Sequence, residues 1–336
     1  MALRKVAILG LGAWGSALAV PLTDAGSSVF IWGRRPDAVE KFNSAHENRE
    51  YLPGVNLEGV TATVDVAVAL DRAEVVILAV PTAAAREVCR AAAATIRRTG
   101  GLRPALVSTC KGLEEGTYLR ISEVAAGEMG DLCSGYAVLS GPNFAIEVGR
   151  RLPTATVVAC ADAALACYLQ DVLMTPSFRV YTNPDVVGVE VAGALKNVIA
   201  LAVGMAEGLG LGYNARAALI TRGLAEITRL GTALGADKHT FAGLAGMGDL
   251  VLTCMGEYSR NRRAGMALAA GQSLEEFVSS SRSLVEGAQT TRSVVMLARS
   301  SGVEAPVAEK VYEVLFEGRR PVDVVGEIMT RDKKTE

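Results

Sequence analysis

With 2 His and 6 Cys in 336 residues, several chemistries have little material to work with. His46 and His239 stand in polar contexts with no partner spacing, so neither a metal site nor a nucleophile triad is supported. Cys89, Cys110, Cys133, Cys160, Cys167 and Cys254 form no CxxC pair and lack the density of a secreted disulfide framework, which fits reduced thiols in a cytoplasm. Neither sign of charge is in excess: 34 Lys+Arg against 36 Asp+Glu gives a net −2, so no nucleic acid partner is expected. Met1-Ala-Leu-Arg-Lys-Val runs straight into an expected strand, without the regions of a signal peptide. The apolar stretch Val186 to Ala206 could span a bilayer by length. It carries Glu190, Lys196 and Asn197, however, and reads as a buried helix of a soluble protein, so no membrane span is expected.

What is present is a hydrophobic fraction of 50%, 35 Gly and a length about twice that of a common domain, which predicts two domains with a sizeable core. Strands are predicted at Val6 to Leu9, Ser28 to Trp32, Val75 to Val80 and Ala105 to Ser108. Helices are predicted between them, over Ser16 to Ala25, Pro36 to His46 and Ala84 to Arg98. Tyr136 to Leu139 and Thr154 to Ala159 extend the sheet, and Arg179 to Tyr181 adds an edge. Beyond Pro184 the pattern is helical throughout. The predicted class is α/β: an N-terminal Rossmann-like, doubly wound domain over 1–183, an all-helical domain over 184–330, and a charged tail over 331–336.

Gly10-Leu-Gly-Ala-Trp-Gly15 has GxGxxG spacing between an apolar strand and a helix, where a dinucleotide fold needs it. Gly10 and Gly12 permit the turn and close backbone approach, Gly15 lets helix and strand pack, and the helix N-terminus faces the pyrophosphate. The second strand ends in Gly33-Arg34-Arg35, where an NAD-selective fold carries a carboxylate. Two guanidiniums suit a 2′-phosphate, so NADPH is expected to be preferred with NADH possible. The alternative is a solvated turn, with Asp37 close by.

Lys196 lies in a stretch apolar on nearly every side, where a buried ammonium persists when it is paired or used in proton transfer; the alternative is a snorkelling lysine. Asp249, after Gly243-Leu-Ala-Gly-Met-Gly248, is either the opposite charge that Lys196 needs or an N-cap. Ser259-Arg-Asn-Arg-Arg263 caps and opens a helix with three arginines against the macrodipole. A phosphate would relieve that conflict, and an exposed basic turn is the alternative. Lys111 and Asn143 follow strands at their carboxyl ends, where open α/β sheets bind ligands; a loop lysine and an N-cap asparagine are the plain alternatives.

Taken together, these segments resemble the bacterial-type NAD(P)-dependent glycerol-3-phosphate dehydrogenases. The similarity runs through Gly10 to Ala19, Trp32 to Pro36, Val76 to Thr82, Ser108 to Glu114, Leu139 to Val148 and Leu152 to Ala155. It continues through Val191-Ala-Gly-Ala-Leu-Lys-Asn-Val198, Asn214 to Leu230, Thr240 to Cys254, Ser259 to Arg263 and Val285-Glu-Gly287. The resemblance implies reversible reduction of dihydroxyacetone phosphate to sn-glycerol 3-phosphate, feeding phospholipid synthesis, by a cytoplasmic homodimer whose helical domain binds substrate and dimerises. It implies catalytic roles for Lys196 and Asp249, and substrate contacts at Lys111, Gly141, Asn143, Ser259, Arg260 and Asn261, the last two facing the phosphate. For the cofactor it implies Gly10, Gly12, Trp14, Gly15, Arg34, Arg35, Lys111, Ala145, Arg260, Leu284 and Glu286. Ala192, where cysteine is common, and Tyr213 depart from the pattern without touching an assigned role. Two rival readings are a ketopantoate-type reductase acting on a carboxylate, and a dinucleotide-sensing protein without turnover.

Overall fold

The computed structural model of the chain describes residues 4–100, 102–281 and 284–329; the charged tail expected over 331–336 lies outside them. The strands are β1 (Lys5–Leu9), β2 (Ser28–Trp32), β3 (Val60–Thr63), β4 (Val75–Leu78), β5 (Ala105–Ser108), β6 (Gly135–Ser140), β7 (Thr154–Ala159) and β8 (Phe178–Asn183). They form one sheet in the order β3-β2-β1-β4-β5-β6-β7-β8. Helices α1 (Ala13–Asp24), α2 (Pro36–Ala45), α3 (Val66–Leu70), α4 (Ala85–Thr99), α5 (Ile121–Met129), α6 (Ala145–Gly149) and α7 (Ala163–Leu173) connect them.

Strand alternation explains why both faces are covered. Val6 and Ile8 of β1, with Val75 and Ile77 of β4, enter one core cluster, while Ala7, Leu9, Val76 and Leu78 enter the cluster on the opposite face. The sheet is parallel except where β7 runs antiparallel to β6. Between those strands stands only α6, 5 residues long. At about 1.5 Å per residue it is far shorter than a strand rising about 3.3 Å per residue, so it cannot carry the chain back for a parallel return. Sequence patterning did not mark β3, a four-residue Val-Thr-Ala-Thr run with two threonines, or the short α3.

The second unit is helical: α8 (Val186–Gly208), α9 (Gly212–Ala233), α10 (Asp249–Met255), α11 (Arg260–Ala269), α12 (Leu274–Ser281), α13 (Glu286–Ser300), α14 (Pro306–Phe316) and α15 (Pro321–Met329). Every residue of α8 from Gly188 to Ala206 is buried, as an apolar helix at the centre of a bundle should be. By contacts the chain divides into one unit ending at Lys111 and resuming over Arg120–Val186, and another of Gly112–Leu119 plus the chain from Val187 onward. The excursion of Gly112–Leu119 departs from a single boundary at Asn183-Pro184. Its cause is Leu113, buried in the helical core, helped by an ion pair between Glu115 and Arg292.

One core carboxylate has no apparent catalytic use. Glu226, 2% exposed, accepts hydrogen bonds from Val307 N at 2.6 Å and Ala308 N at 3.3 Å, at the start of α14. Burial pushes its carboxyl up to about 7, outweighing the pull of those two N–H groups. Between an unfolded pKa of about 4.3 and the folded value, the folded chain keeps a proton that the unfolded chain releases. Stability is therefore lost as pH rises through that window. Glu226→Gln, which stays neutral, is expected to unfold in urea with about 1–3 kcal/mol more stability than wild type at pH 8, a gap that shrinks towards pH 5. A pH-independent gap would mean that the carboxylate is not the cause.

Candidate active site

The glycine loop is built by close approach. At Gly10, φ is +134° and a Cβ would lie 2.3 Å from Ala79 O, while a Cβ on Gly15 would lie 2.1 Å from Gly10 O. Neither position tolerates a side chain. A Cβ on Gly12 meets nothing within 4 Å, so the loop is open just ahead of the N-terminus of α1. β1 and β4 lie side by side here, the switch point of the sheet. In the same unit, three buried polar groups lack a partner among the described residues: Trp14 Nε1 on α1, Thr82 Oγ1 just after β4, and Ser140 Oγ at the end of β6. Open backbone and orphaned donors at the strand ends fit a dinucleotide, and Gly10, Gly12, Trp14 and Gly15 are the residues that would hold its pyrophosphate side.

At the end of β2, Arg34 and Arg35 are exposed, and Arg35 is ion-paired with Glu50, a carboxylate not anticipated from the sequence. At the far side of the sheet, Lys111 Nζ donates to Gly141 O and Asn143 Oδ1, each at 3.3 Å. Asn143 is fixed in turn by donating Nδ2 to Thr156 Oγ1 at 3.1 Å, while the Thr156 hydroxyl donates to Ser140 O at 2.9 Å. Thr156, fully buried on β7, thereby turns the amide oxygen of Asn143 towards the ammonium. Ala145 opens α6 and packs partly buried against the core.

In the helical unit, Lys196 of α8 is 5% exposed and Asp249 of α10 is 1% exposed, and Lys196 Nζ donates to Asp249 Oδ1. It also donates to Thr253 Oγ1 at 2.8 Å, whose hydroxyl donates to Asp249 O at 2.7 Å. The lysine does not snorkel, and the aspartate is a counter-ion: α10 takes no side-chain cap. A wide π turn over Leu244–Gly248 aims α10, and a Cβ on Gly246 would lie 2.2 Å from Phe241 O. Beside the pair, burial pushes the Cys254 thiol up to about 12, so it stays neutral.

Ser259 caps α11 by accepting from Arg262 N at 3.2 Å. Of the three arginines, Arg262 is satisfied within the protein, its guanidinium forking onto Glu207 at 2.6 and 2.7 Å, whereas Arg260 and Arg263 are exposed. Asn261 points inward: its Nδ2 donates to Asn197 Oδ1 at 2.9 Å and its Oδ1 accepts from Gly287 N at 3.0 Å. It latches α11 to α8 and to the start of α13. A Cβ on Gly204 would lie 2.0 Å from Arg262 O, so α8 and α11 touch backbone to backbone and the first turn of α11 is held firmly.

Two family models cover the chain: the N-terminus of NAD-dependent glycerol-3-phosphate dehydrogenase over residues 5–166, and its C-terminus over 185–326. The chain belongs to this dehydrogenase family. A glycerol-3-phosphate dehydrogenase [NAD(P)+] of Moorella thermoacetica is 50% identical, covering 99% of this chain and 98% of its own. The crystal structure of glycerol-3-phosphate dehydrogenase from Coxiella burnetii superposes with a TM-score of 0.92 at 38% identity, covering 98% of this chain and 99% of that one. A ketopantoate reductase from Ralstonia eutropha, at 15% identity and a TM-score of 0.59, shares the fold alone.

For a member of this dehydrogenase family, the structure groups the expected residues into three clusters: the glycine loop with Trp14, the Lys111–Gly141–Asn143 cluster, and the Lys196–Asp249 pair. Ser259 and Asn261 act inside the fold as cap and latch, which leaves Arg260 as the exposed cation of the pair expected at the phosphate. Leu284 is exposed, and Glu286 is the first residue of α13. Thr156, Thr253 and Glu50 were not foreseen. A threonine one helical turn after Asp249 is the only local signal that could have pointed to one of them.

Proposed function

We propose that this chain reduces dihydroxyacetone phosphate to sn-glycerol 3-phosphate, reversibly, and that it prefers NADPH while accepting NADH. The observation that carries the reaction type is the ammonium of Lys196, buried, paired to Asp249 and held by Thr253 in a chain of this family. When bound, the nicotinamide supplies the hydride. Lys196 then donates a proton to the C2 oxygen as negative charge develops there, acting as electrostatic catalyst and acid together. Asp249 keeps that ammonium charged and oriented, and Thr253 fixes Nζ.

Arg260, at the start of α11, anchors the phosphate and so orients C2. Lys111, set by Gly141 O and Asn143, lines the ligand site of the sheet unit. Ala145, Leu284 and Glu286 line the cofactor site on the strength of the resemblance. The preference for NADPH is supported by the two guanidiniums of Arg34 and Arg35. A cytoplasmic location is supported by six free thiols. Homodimer formation through the helical unit (184–330), and supply of phospholipid synthesis, rest on the resemblance.

The test is loss of absorbance in the reduced-nicotinamide band with dihydroxyacetone phosphate, NADPH and NADH side by side and ketopantoate as the alternative ketone. Fast loss with NADPH, slower with NADH, and none with ketopantoate is expected. Loss with ketopantoate alone would move the assignment to that reductase class. No loss with either ketone, from protein that still binds NADPH, would favour a sensor.

A further inference from the structure

The end of β2 lacks the carboxylate of an NAD-selective fold, yet the fold returns one from elsewhere in the chain. After α2, residues 46–52 form a strap latched to the cofactor loop by Asn48. Asn48 is buried, donates Nδ2 to Ser16 Oγ at 2.8 Å and to Leu11 O at 3.3 Å, and accepts from Tyr51 N at 3.2 Å. Leu52 N donates to Asn48 O at 2.8 Å and closes the turn. Leu11 belongs to the glycine loop and Ser16 to α1, so the strap is fixed to the elements that receive the dinucleotide. Its tip carries Glu50, and the Glu50 carboxylate takes the Arg35 guanidinium as its partner. The Arg35 guanidinium, with help from the Tyr51 hydroxyl, keeps that carboxyl below the usual carboxylate range against the opposing influences of burial and Asp37, so it is charged at neutral pH. Asp37 itself pairs with Lys41 at 3.6 Å.

We propose that Glu50 is a specificity-determining residue: it occupies Arg35 as a counter-ion that the 2′-phosphate of NADPH must displace, and it narrows the discrimination that two arginines would otherwise give against NADH. The proposal rests on the reading that Arg34 and Arg35 receive the 2′-phosphate. A phosphate arriving at Arg35 meets a carboxylate already there, so binding has to separate an ion pair and then tolerate two like charges at close range. NADH, with a 2′-hydroxyl, leaves the pair intact. Both partners of the pair are about half exposed, with side-chain accessibilities of 49% and 50%, so the penalty is graded and screened by salt, which makes a tuning device and not a block. The same geometry explains how a chain with Gly33-Arg34-Arg35 and no acid at that strand end can serve both cofactors.

The test is calorimetric binding of two fragments, 2′,5′-ADP and 5′-AMP, to wild type, Glu50→Gln and Arg35→Ala. Glu50→Gln is expected to tighten 2′,5′-ADP about three- to tenfold at low salt while leaving 5′-AMP within about twofold, with the gain fading above about 0.5 M salt. Binding of 5′-AMP also reports that each variant is folded around its cofactor loop, and a merely structural role for Glu50 would move both ligands together. If Arg35→Ala weakens 2′,5′-ADP but Glu50→Gln does not tighten it, the counter-ion proposal is overturned and the arginine reading stands. If Arg35→Ala leaves 2′,5′-ADP binding unchanged, the arginine reading falls and the proposal with it.

Discussion

Lys196→Ala is expected to lower kcat for dihydroxyacetone phosphate by about 10³-fold or more, within the range general acids contribute, while KM changes little. The effect is electrostatic. An alkoxide forming at C2 inside a desolvated site needs positive charge and a proton at one place, and in the proposed mechanism the ammonium of Lys196 supplies both. The substitution also strands Asp249, 1% exposed, without its counter-ion, and an unpaired buried charge costs about 3–5 kcal/mol. Loss of activity alone would therefore not separate chemistry from folding. The double variant Lys196→Ala/Asp249→Asn removes the stranded charge and is expected to recover most of the stability and none of the rate. A double variant that regained activity would show that the ammonium is not the acid.

Arg260→Ala is expected to lower kcat/KM for dihydroxyacetone phosphate by about 10- to 100-fold, the range for losing a charge-assisted contact, and to leave the slow turnover of unphosphorylated dihydroxyacetone nearly unchanged. The ratio between the two substrates is the readout, because weaker cofactor binding lowers both rates together. Arg262→Ala makes the contrast. Its guanidinium is committed to Glu207, so it should cost stability and shift both substrates alike. Equal losses with both substrates in Arg260→Ala would remove Arg260 from the phosphate.

How much of this was legible in the sequence depends on how local each signal is. The glycine loop, the capped start of α11 and the charged residues in α8 announce themselves within a few positions, because turn geometry, capping and burial of a helix face are written in neighbouring residues. The pairing of Lys196 with Asp249 spans 53 positions, and it was legible only because each residue was anomalous in its own segment. Thr156, Thr253 and Asn48 are ordinary polar residues until the fold brings their partners to them. Glu50 lies 15 positions from Arg35, and nothing in its own neighbours marks the pairing. The three arginines of α11 were a real local conflict, but Glu207 from α8 relieves one of them, so an anion is needed for fewer charges than the sequence suggested. β3 escaped because four residues carry too little periodicity to separate strand from loop.

The proposed reaction is direct hydride transfer to C2 with a proton from Lys196 completing the alcohol. Its most direct test is to run the wild-type reaction with NADPH deuterated at the transferable C4 position and to examine the product by NMR. One deuterium at C2 of sn-glycerol 3-phosphate for each cofactor oxidised and a primary isotope effect in single turnover are expected, with Lys196→Ala forming labelled product at least about 10³-fold more slowly at matched cofactor occupancy. Cofactor oxidation without deuterium at C2, or label transfer at the wild-type rate in Lys196→Ala, would contradict it.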